Sequence, residues 1–384
     1  MCLKVVSMSF DVPRVSREVE ASLATPALLV WPDRIEANIR RMIEIAGGTD
    51  RLRPHCKTHK MRQVAEMLVA AGITHHKAAT VVEADMLCSA GAEDVVLAGN
   101  PVGPALTDFM SVVQRYPSVT FAITADAGPV IRQVAADCAA AETVVGVMLD
   151  LDVGLHRTGV LPDSAIAQQL YQLIEQLPGV RPAGLHIYDG HQHQTDYEER
   201  RDAVQQAWQP VAQLLERMQA AQLPVPELLC GGTPSFPVYA EMSQPEIRMS
   251  PGTCTLHDVG YGRTCPDLVF DVAAAVATRV VSSAVPGQLT LDVGHKAIAG
   301  DPPAGGRVWF AELPDAKATI HNEEHLTVES AKAGNYVVGD LLMALPIHVC
   351  PSVALHHKAN VIRDGEVADH WLIHRHRDLA DGTP

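Results

Sequence analysis

Between positions 53 and 249 the chain alternates short apolar runs with helical stretches rich in Ala, Leu, Gln and Glu. The runs lie at 53–58, 75–80, 95–98, 119–124, 144–151, 184–188, 227–230 and 246–249, and helical patterns at 61–71, 82–90, 127–141, 162–176 and 197–221 fall between most of them. Eight strands alternating with helices over roughly 200–250 residues predict an α/β fold, a (β/α)8 TIM-like barrel rather than an open sheet. After about Thr255 the long helical patterns stop. Short runs at 269–281, 288–293, 306–310, 318–321, 336–338, 341–348 and 370–374, separated by Gly, Pro and Asp turns, predict an all-β second domain.

Composition narrows the partners. At 384 residues and 47% hydrophobic the chain can bury a sizeable core, and no apolar run is long enough to span a membrane. A net charge of −15 argues against nucleic acid, since phosphate binding needs clustered Lys and Arg. Eight cysteines without a CxxC pair read as reduced thiols in a cytoplasm, and no signal peptide is read at the start.

The chemistry of a barrel sits at the C-terminal ends of its strands. The first such end carries Arg53-Pro54-His55-Cys56-Lys57-Thr58-His59-Lys60. A lysine there can be desolvated, and its neutral amine can then form a Schiff base; a solvated structural lysine fits the same pattern. The next end is Asp150-Leu151-Asp152-Val153-Gly154-Leu155-His156-Arg157, where Arg157 can donate to a ring oxygen or carboxylate, or simply close a loop salt bridge. The segment 184–193 places His186, His191 and His193 within eight residues, with Tyr188 among them; proton or metal chemistry and a solvated loop both account for that. Small-residue ends at Gly231-Gly232-Thr233-Pro234-Ser235 and Ser250-Pro251-Gly252-Thr253 can cradle a phosphate through backbone N–H groups, or be plain turns. In the β domain His348 and Cys350, read as i and i+2 on a strand, face one side and can share a metal as imidazole and thiolate, with Pro351 fixing the strand's exit. An ordinary β pair gives the same spacing.

Taken in order, the Lys-Thr-His-Lys strand end, the Gly-x-x-Arg-x-Gly-Val turn around Arg157, Gly-Leu-x-x-Tyr-x-Gly around Tyr188, Gly-Gly-Thr-Pro-Ser, Pro-Gly-Thr and His-x-Cys-Pro resemble the D-threonine aldolase and D-serine dehydratase family of fold-type III pyridoxal phosphate enzymes over roughly residues 25 to 360. The resemblance implies an alanine-racemase-like barrel over 26–255, a β domain made of 1–25 and 256–384, and a homodimer. It implies that Lys57, not Lys60, holds pyridoxal 5′-phosphate, that Arg157 contacts the ring oxygen or substrate carboxylate, and that Tyr188 lies against the ring. Gly232, Thr233, Gly252 and Thr253 would hold the phosphate, and His348 and Cys350 a divalent metal (Mn2+, Zn2+ or Mg2+) serving the substrate's β-hydroxyl. Glu324 and His325 also resemble a family segment, with a solvated loop as the other reading.

Retro-aldol cleavage and loss of water use the same groups, so the motifs admit both. The loop at 188–200 is similar to the aldolase branch, where His193, or His191 if the match shifts by a one-residue gap, would be the base. Cys350 instead matches the dehydratase branch. Because the loop forms the base and the substrate pocket, the expectation is a lyase that cleaves D-3-hydroxy amino acids of the D-threonine type to glycine and an aldehyde. The alternative is a dehydratase of D-serine or D-threo-3-hydroxyaspartate. A metal-free racemase and a non-catalytic cofactor carrier fit less well, given the His-x-Cys pair and the β domain.

Overall fold

A computed structural model describes residue 10, residues 13–376 and residue 379. Residues 3–6, which the sequence reads as a short β-like run, and Arg377, in the tail His374-Arg375-His376-Arg377 that it reads as a solvated end, lie outside the described residues. The chain divides into two compact units. One takes the chain up to Ile39, Thr58–Lys60 and Thr253–Ile373; the other takes Arg40–Lys57, Met61–Gly252 and the chain from His374. Among the described residues, strands β1 (Ala27–Val30) and β9 (Ala274–Ser282) through β16 (Glu366–Leu372) make a nine-stranded sheet. Strands β2 (His75–Ala78) through β8 (Ile247–Met249) make a seven-stranded one.

In the seven-stranded sheet each strand pairs in parallel with the next in sequence. Parallel strands are covered on both faces, which is why they read as continuous apolar runs. Where the spacing predicts a further strand at 53–58, the structure has only isolated bridges. Leu52 pairs with Met249 of β8, and His55 with Lys77 of β2. Pro54 explains the difference: it has no N–H to give to a ladder, although its carbonyl accepts from Lys77 N at 3.0 Å. With Arg53 N donating to Met249 O at 2.8 Å and Cys56 N to Lys77 O at 3.0 Å, this segment joins the two edges and closes the ring. Inside it, Val96, Ala122, Met148, Ala183 and Leu229 form one buried apolar cluster.

Strand β6 (Val180–Ile187) carries a bulge against β5 (Val145–Leu151), with Val147 opposite Pro182 and Met148 opposite Gly184. The extra residue sets the register beyond it, so that His186 lies opposite Asp150. Gly184 has φ +124°, and a Cβ there would fall 1.9 Å from the carbonyl oxygen of Glu227. Gly184→Ala is therefore expected to destabilise this unit by about 3 kcal/mol, the upper range for overpacking. A urea midpoint unchanged from wild type would contradict the close packing.

In the other unit β1 pairs antiparallel with β9 and parallel with β15 (Lys358–Arg363). The apolar segment 27–31, which the sequence predicts as a strand, thus contributes residues 27–30 to the β sheet and not to the barrel, although the expected barrel span begins at 26. Its residues Ala27 and Leu29 pack with Val272, Ala275, Ala277, Met343, Leu345 and Ile362. Two strands of this sheet escape the sequence reading, β13 (Leu326–Glu329) and β15, and the expected strand at 336–338 is instead the exit from a short 3-10 turn. The run expected to continue through His348 ends at Pro346, the last residue of β14 (Leu341–Pro346). His348 is the N-cap of a helix, Val349–Ala354, with Cys350 in its first turn. Pro351 suits that turn, because a missing N–H costs nothing there. Asp258 fixes the helix start by accepting from Val349 N at 3.0 Å, and Ser352 Oγ donates to His348 O at 2.8 Å.

Candidate active site

Within the barrel unit a cavity of ≈ 220 Å³ is lined by His55, Lys57, Lys77, Asp150, Arg157, His186 and Tyr188, among others. Tyr188 is its organising ring. The Arg157 guanidinium carbon lies 4.8 Å from the ring centroid, Lys57 Nζ 5.5 Å and Lys77 Nζ 5.7 Å. The ring is nearly parallel to that of His186, at 7° and 6.5 Å between centroids. Residues two apart on a strand share a face, so the end of β6 delivers both to one side.

Behind Tyr188 runs a buried polar chain. His186 Nδ1 lies 2.6 Å from Asp150 Oδ1, and His186 Nε2 lies 3.4 Å from Lys77 Nζ. Lys77 stands on β2 and His186 on β6, strands that are not neighbours in the sheet, so this contact crosses the barrel's interior. Burial alone would raise Asp150, but hydrogen bonds from His186 and Thr158 and the charge of Arg157 hold it below its usual range. Burial and the charge of Lys77 keep His186 below its ordinary value, against the pull of Asp150. A carboxylate beside a neutral imidazole fixes the tautomer: Nδ1–H donates to Asp150, and Nε2 accepts from Lys77. Lys77, only 2% exposed, is pushed down to about 7 by burial and then by the charge of Lys57.

The small-residue loops fold tightly. Gly231 has φ +71°, and a Cβ there would meet Ser235 Oγ at 2.6 Å. A Cβ on Gly232 would touch Tyr188 Cε2 at 3.2 Å, so this backbone rests on the ring. Gly232 N donates to Ser235 Oγ at 3.2 Å, Gly252 N to Thr233 Oγ1 at 3.3 Å, and Ser235 Oγ to Asp189 Oδ1 at 2.6 Å. The Ser250 hydroxyl is buried without a hydrogen-bond partner among the described residues. A cationic cavity beside an aromatic ring, small-residue loops one of which rests on that ring, and an unsatisfied buried hydroxyl suit an anionic, planar cofactor held by Lys57.

His191 and His193 do not line this cavity. His193 is exposed. His191 packs against Gly154, where a Cβ would approach its Nε2 at 3.1 Å. Burial lowers its pKa despite Asp152, with His193 and His156 adding to the effect. Gln192 Nε2 lies 3.0 Å from His191 Nε2, so the amide donates there and occupies the ring's lone pair.

In the other unit, His348 Nδ1 lies 2.6 Å from Asp301 Oδ2. Burial works against a charged ring at His348, but Cys350 and Asp301 outweigh it and take the imidazole up to about 9. The Cys350 sulfur lies 3.2 Å from Thr58 Oγ1 and 3.5 Å from Thr253 Oγ1. An imidazole and a thiol side by side, with a carboxylate on the ring's other nitrogen, is the donor set of a metal-binding pair and its orienting group. Glu324 and His325 are exposed, and Glu324 pairs with Lys296 at 3.2 Å.

The alanine racemase N-terminal domain model matches residues 30–254, more than half of the chain, and a serine dehydratase domain model matches residues 273–362. A D-threonine aldolase from an Arthrobacter species is 32% identical over 360 residues, covering 92% of this chain and 93% of that one. This chain belongs to the D-threonine aldolase and D-serine dehydratase family. Among its relatives is a D-threo-3-hydroxyaspartate dehydratase from a Delftia species, 26% identical over 360 residues, 87% of this chain and 92% of that one. The crystal structure of D-threonine aldolase from Filomicrobium marinum superposes with a TM-score of 0.85 at 28% identity, covering 92% of this chain and 96% of that chain. Membership makes the chain a lyase with an alanine-racemase-like barrel and a β-sheet domain, as the motifs imply. Among the described residues no helix is long and apolar enough to cross a membrane.

The family motifs leave out Lys77. Its signal was a lysine inside the run 75–80, on a barrel strand whose neighbours are buried; such a residue needs a polar partner in the interior.

Proposed function

We propose that this chain is a pyridoxal 5′-phosphate- and divalent-metal-dependent lyase that cleaves D-3-hydroxy amino acids of the D-threonine type into glycine and an aldehyde, working as a homodimer in the cytoplasm. The observation that carries this reading is Lys57 on the wall of a cavity it shares with Arg157 and Tyr188. When bound there, the pyridoxal group supplies an electron sink for the pair released from the broken bond. Lys57 holds it, Tyr188 backs the ring, and the loops at Gly232, Thr233 and Gly252 take the phosphate, the two glycine N–H groups exchanging the Ser235 and Thr233 hydroxyls for phosphate oxygens. Arg157, with its planar fork of N–H donors, binds a ring oxygen or the substrate carboxylate.

A divalent metal (Mn2+, Zn2+ or Mg2+) on His348 and Cys350 supplies a Lewis acid for the β-hydroxyl oxygen. Asp301 keeps the His348 ring in place by accepting from Nδ1, which leaves Nε2 as the ligand atom. His193 takes the β-hydroxyl proton. The Gln192 amide already occupies the lone pair of His191, which favours His193 over it.

Cys350 favours a second reading, since a thiolate ligand matches the dehydratase branch and prefers zinc. Incubation with D-threonine and D-serine, with and without a chelator, decides between them. Glycine and acetaldehyde, lost on chelation and restored by metal, are the expected products. Pyruvate or 2-oxobutyrate with ammonia would overturn the aldolase in favour of the dehydratase.

A further inference from the structure

Cleavage to glycine needs two proton transfers at different atoms: one leaves the β-hydroxyl, and one arrives at the α-carbon. His193, in the function proposed above, serves the first. The cavity's own lining must supply the second. His55 cannot, because burial and the charges of Lys77 and Lys57 push it well below its usual range. Asp150 is held as the carboxylate.

We propose that Lys77, oriented by the Asp150–His186 pair across the barrel interior, is a second acid–base residue of this pocket, the one that places a proton on the α-carbon. The inference rests on the function proposed above. Three features carry it. Lys77 is buried yet lines the cavity; its amine lies 5.7 Å from the Tyr188 centroid, against 5.5 Å for Lys57; and it donates to an imidazole whose other nitrogen is tied to a carboxylate at 2.6 Å. A proton-transfer group hydrogen-bonded to a histidine that a third group orients is a recurring catalytic arrangement. In the step, an N–H bond of the Lys77 ammonium breaks and a C–H bond forms at the α-carbon, using the electron pair of the former Cα–Cβ bond. The neutral amine then regains a proton from water. Burial first, then the charges of Lys57, Arg157 and Arg53, press the Lys77 amine toward its neutral form, while Asp150 opposes them. Both protonation states are therefore populated near pH 7.

The test uses the holoenzyme with pyridoxal 5′-phosphate. Its absorbance band is followed across pH, and the exchange of a glycine α-hydrogen in D2O is followed by NMR. A spectral step near neutral pH is expected in the wild type. Lys77→Met should lose the step and keep the high-pH spectrum throughout, whereas Lys77→Arg should lose it and keep the low-pH spectrum. Asp150→Asn should move the step to lower pH, because a group that raises the Lys77 pKa is gone. Glycine exchange in Lys77→Met should fall by roughly 100-fold, the low end of general acid–base contributions. If Lys77→Met does not fold, the Arg and Asp150→Asn variants carry the test. A Lys77→Met band that titrates as wild type, with unchanged exchange, overturns the proposal and leaves Lys57 as the α-carbon acid. A wild-type protein that forms no band refutes the cofactor reading together with it.

Discussion

Lys57→Ala is expected to abolish turnover by a factor on the order of a million, the scale seen when a covalent catalytic residue is lost. It should also remove the visible band formed on adding pyridoxal 5′-phosphate. The fold should survive, because Lys57 is partly exposed and its side chain appears in none of the hydrogen bonds that close the ring at 53–56. A melting temperature close to wild type together with absent activity is thus the expected pair of results. Full activity in the variant, or a band that persists, would remove Lys57 from the chemistry. Lys77 sits in the same wall, so Lys57→Ala also tests whether the second amine can substitute for the first. The distance of Lys77 from the ring is comparable, but its engagement with His186 argues that it cannot.

Arg53→Met is expected to act on stability rather than chemistry, and strongly. The Arg53 guanidinium is 2% exposed and lies 2.7 Å from Asp94 Oδ1. It binds Glu227 in bidentate fashion at 2.7 and 2.8 Å. Burial disfavours its charge, yet the two carboxylates more than restore it. Removing the cation leaves two acids facing each other at the N-terminal ends of the strands, the face of a barrel associated with stability. Breaking a buried pair this way costs about 3 to 5 kcal/mol. Partial solvent access to Asp94 and Glu227, at 20% and 16%, points to the lower figure. The urea midpoint of the barrel unit reads this out, and a loss below about 1 kcal/mol would show that the carboxylates relax into water. Adding Glu227→Met to Arg53→Met should recover part of the loss, since an apolar replacement removes one stranded charge.

Much of this is legible in the chain itself. The alternation that predicts a barrel is local information, and so are the strand ends that carry Lys57, Arg157 and Tyr188. Each stands a few residues from the glycines and apolar runs that mark it. What the sequence hides depends on closure. Lys77 meets His186 only because the sheet curls until β2 and β6 face each other, and no spacing along the chain encodes that. The strands Leu326–Glu329 and Lys358–Arg363 were missed for a different reason: charged and polar residues interrupt both, which weakens an apolar signal. At His348 the sequence was ambiguous. A proline after His-x-Cys suits the exit of a strand and the first turn of a helix equally, and it is Asp258, far away in sequence, that selects the helix by accepting from Val349 N.

The membership of Ala27–Val30 in the nine-stranded sheet bears on how the protein is made. Leu29 is registered with Ala275 on one side and Asn360 on the other, so this apolar tetrapeptide leaves the ribosome hundreds of residues ahead of the partners that will cover it. At about 5–20 residues per second the wait is on the order of half a minute. The whole barrel segment is translated in that interval, while the nascent N-terminal strand is exposed to chaperones and to neighbouring chains. Truncated or stalled products that end before residue 274 would therefore carry an uncovered sticky edge, and aggregation should be a hallmark of such fragments.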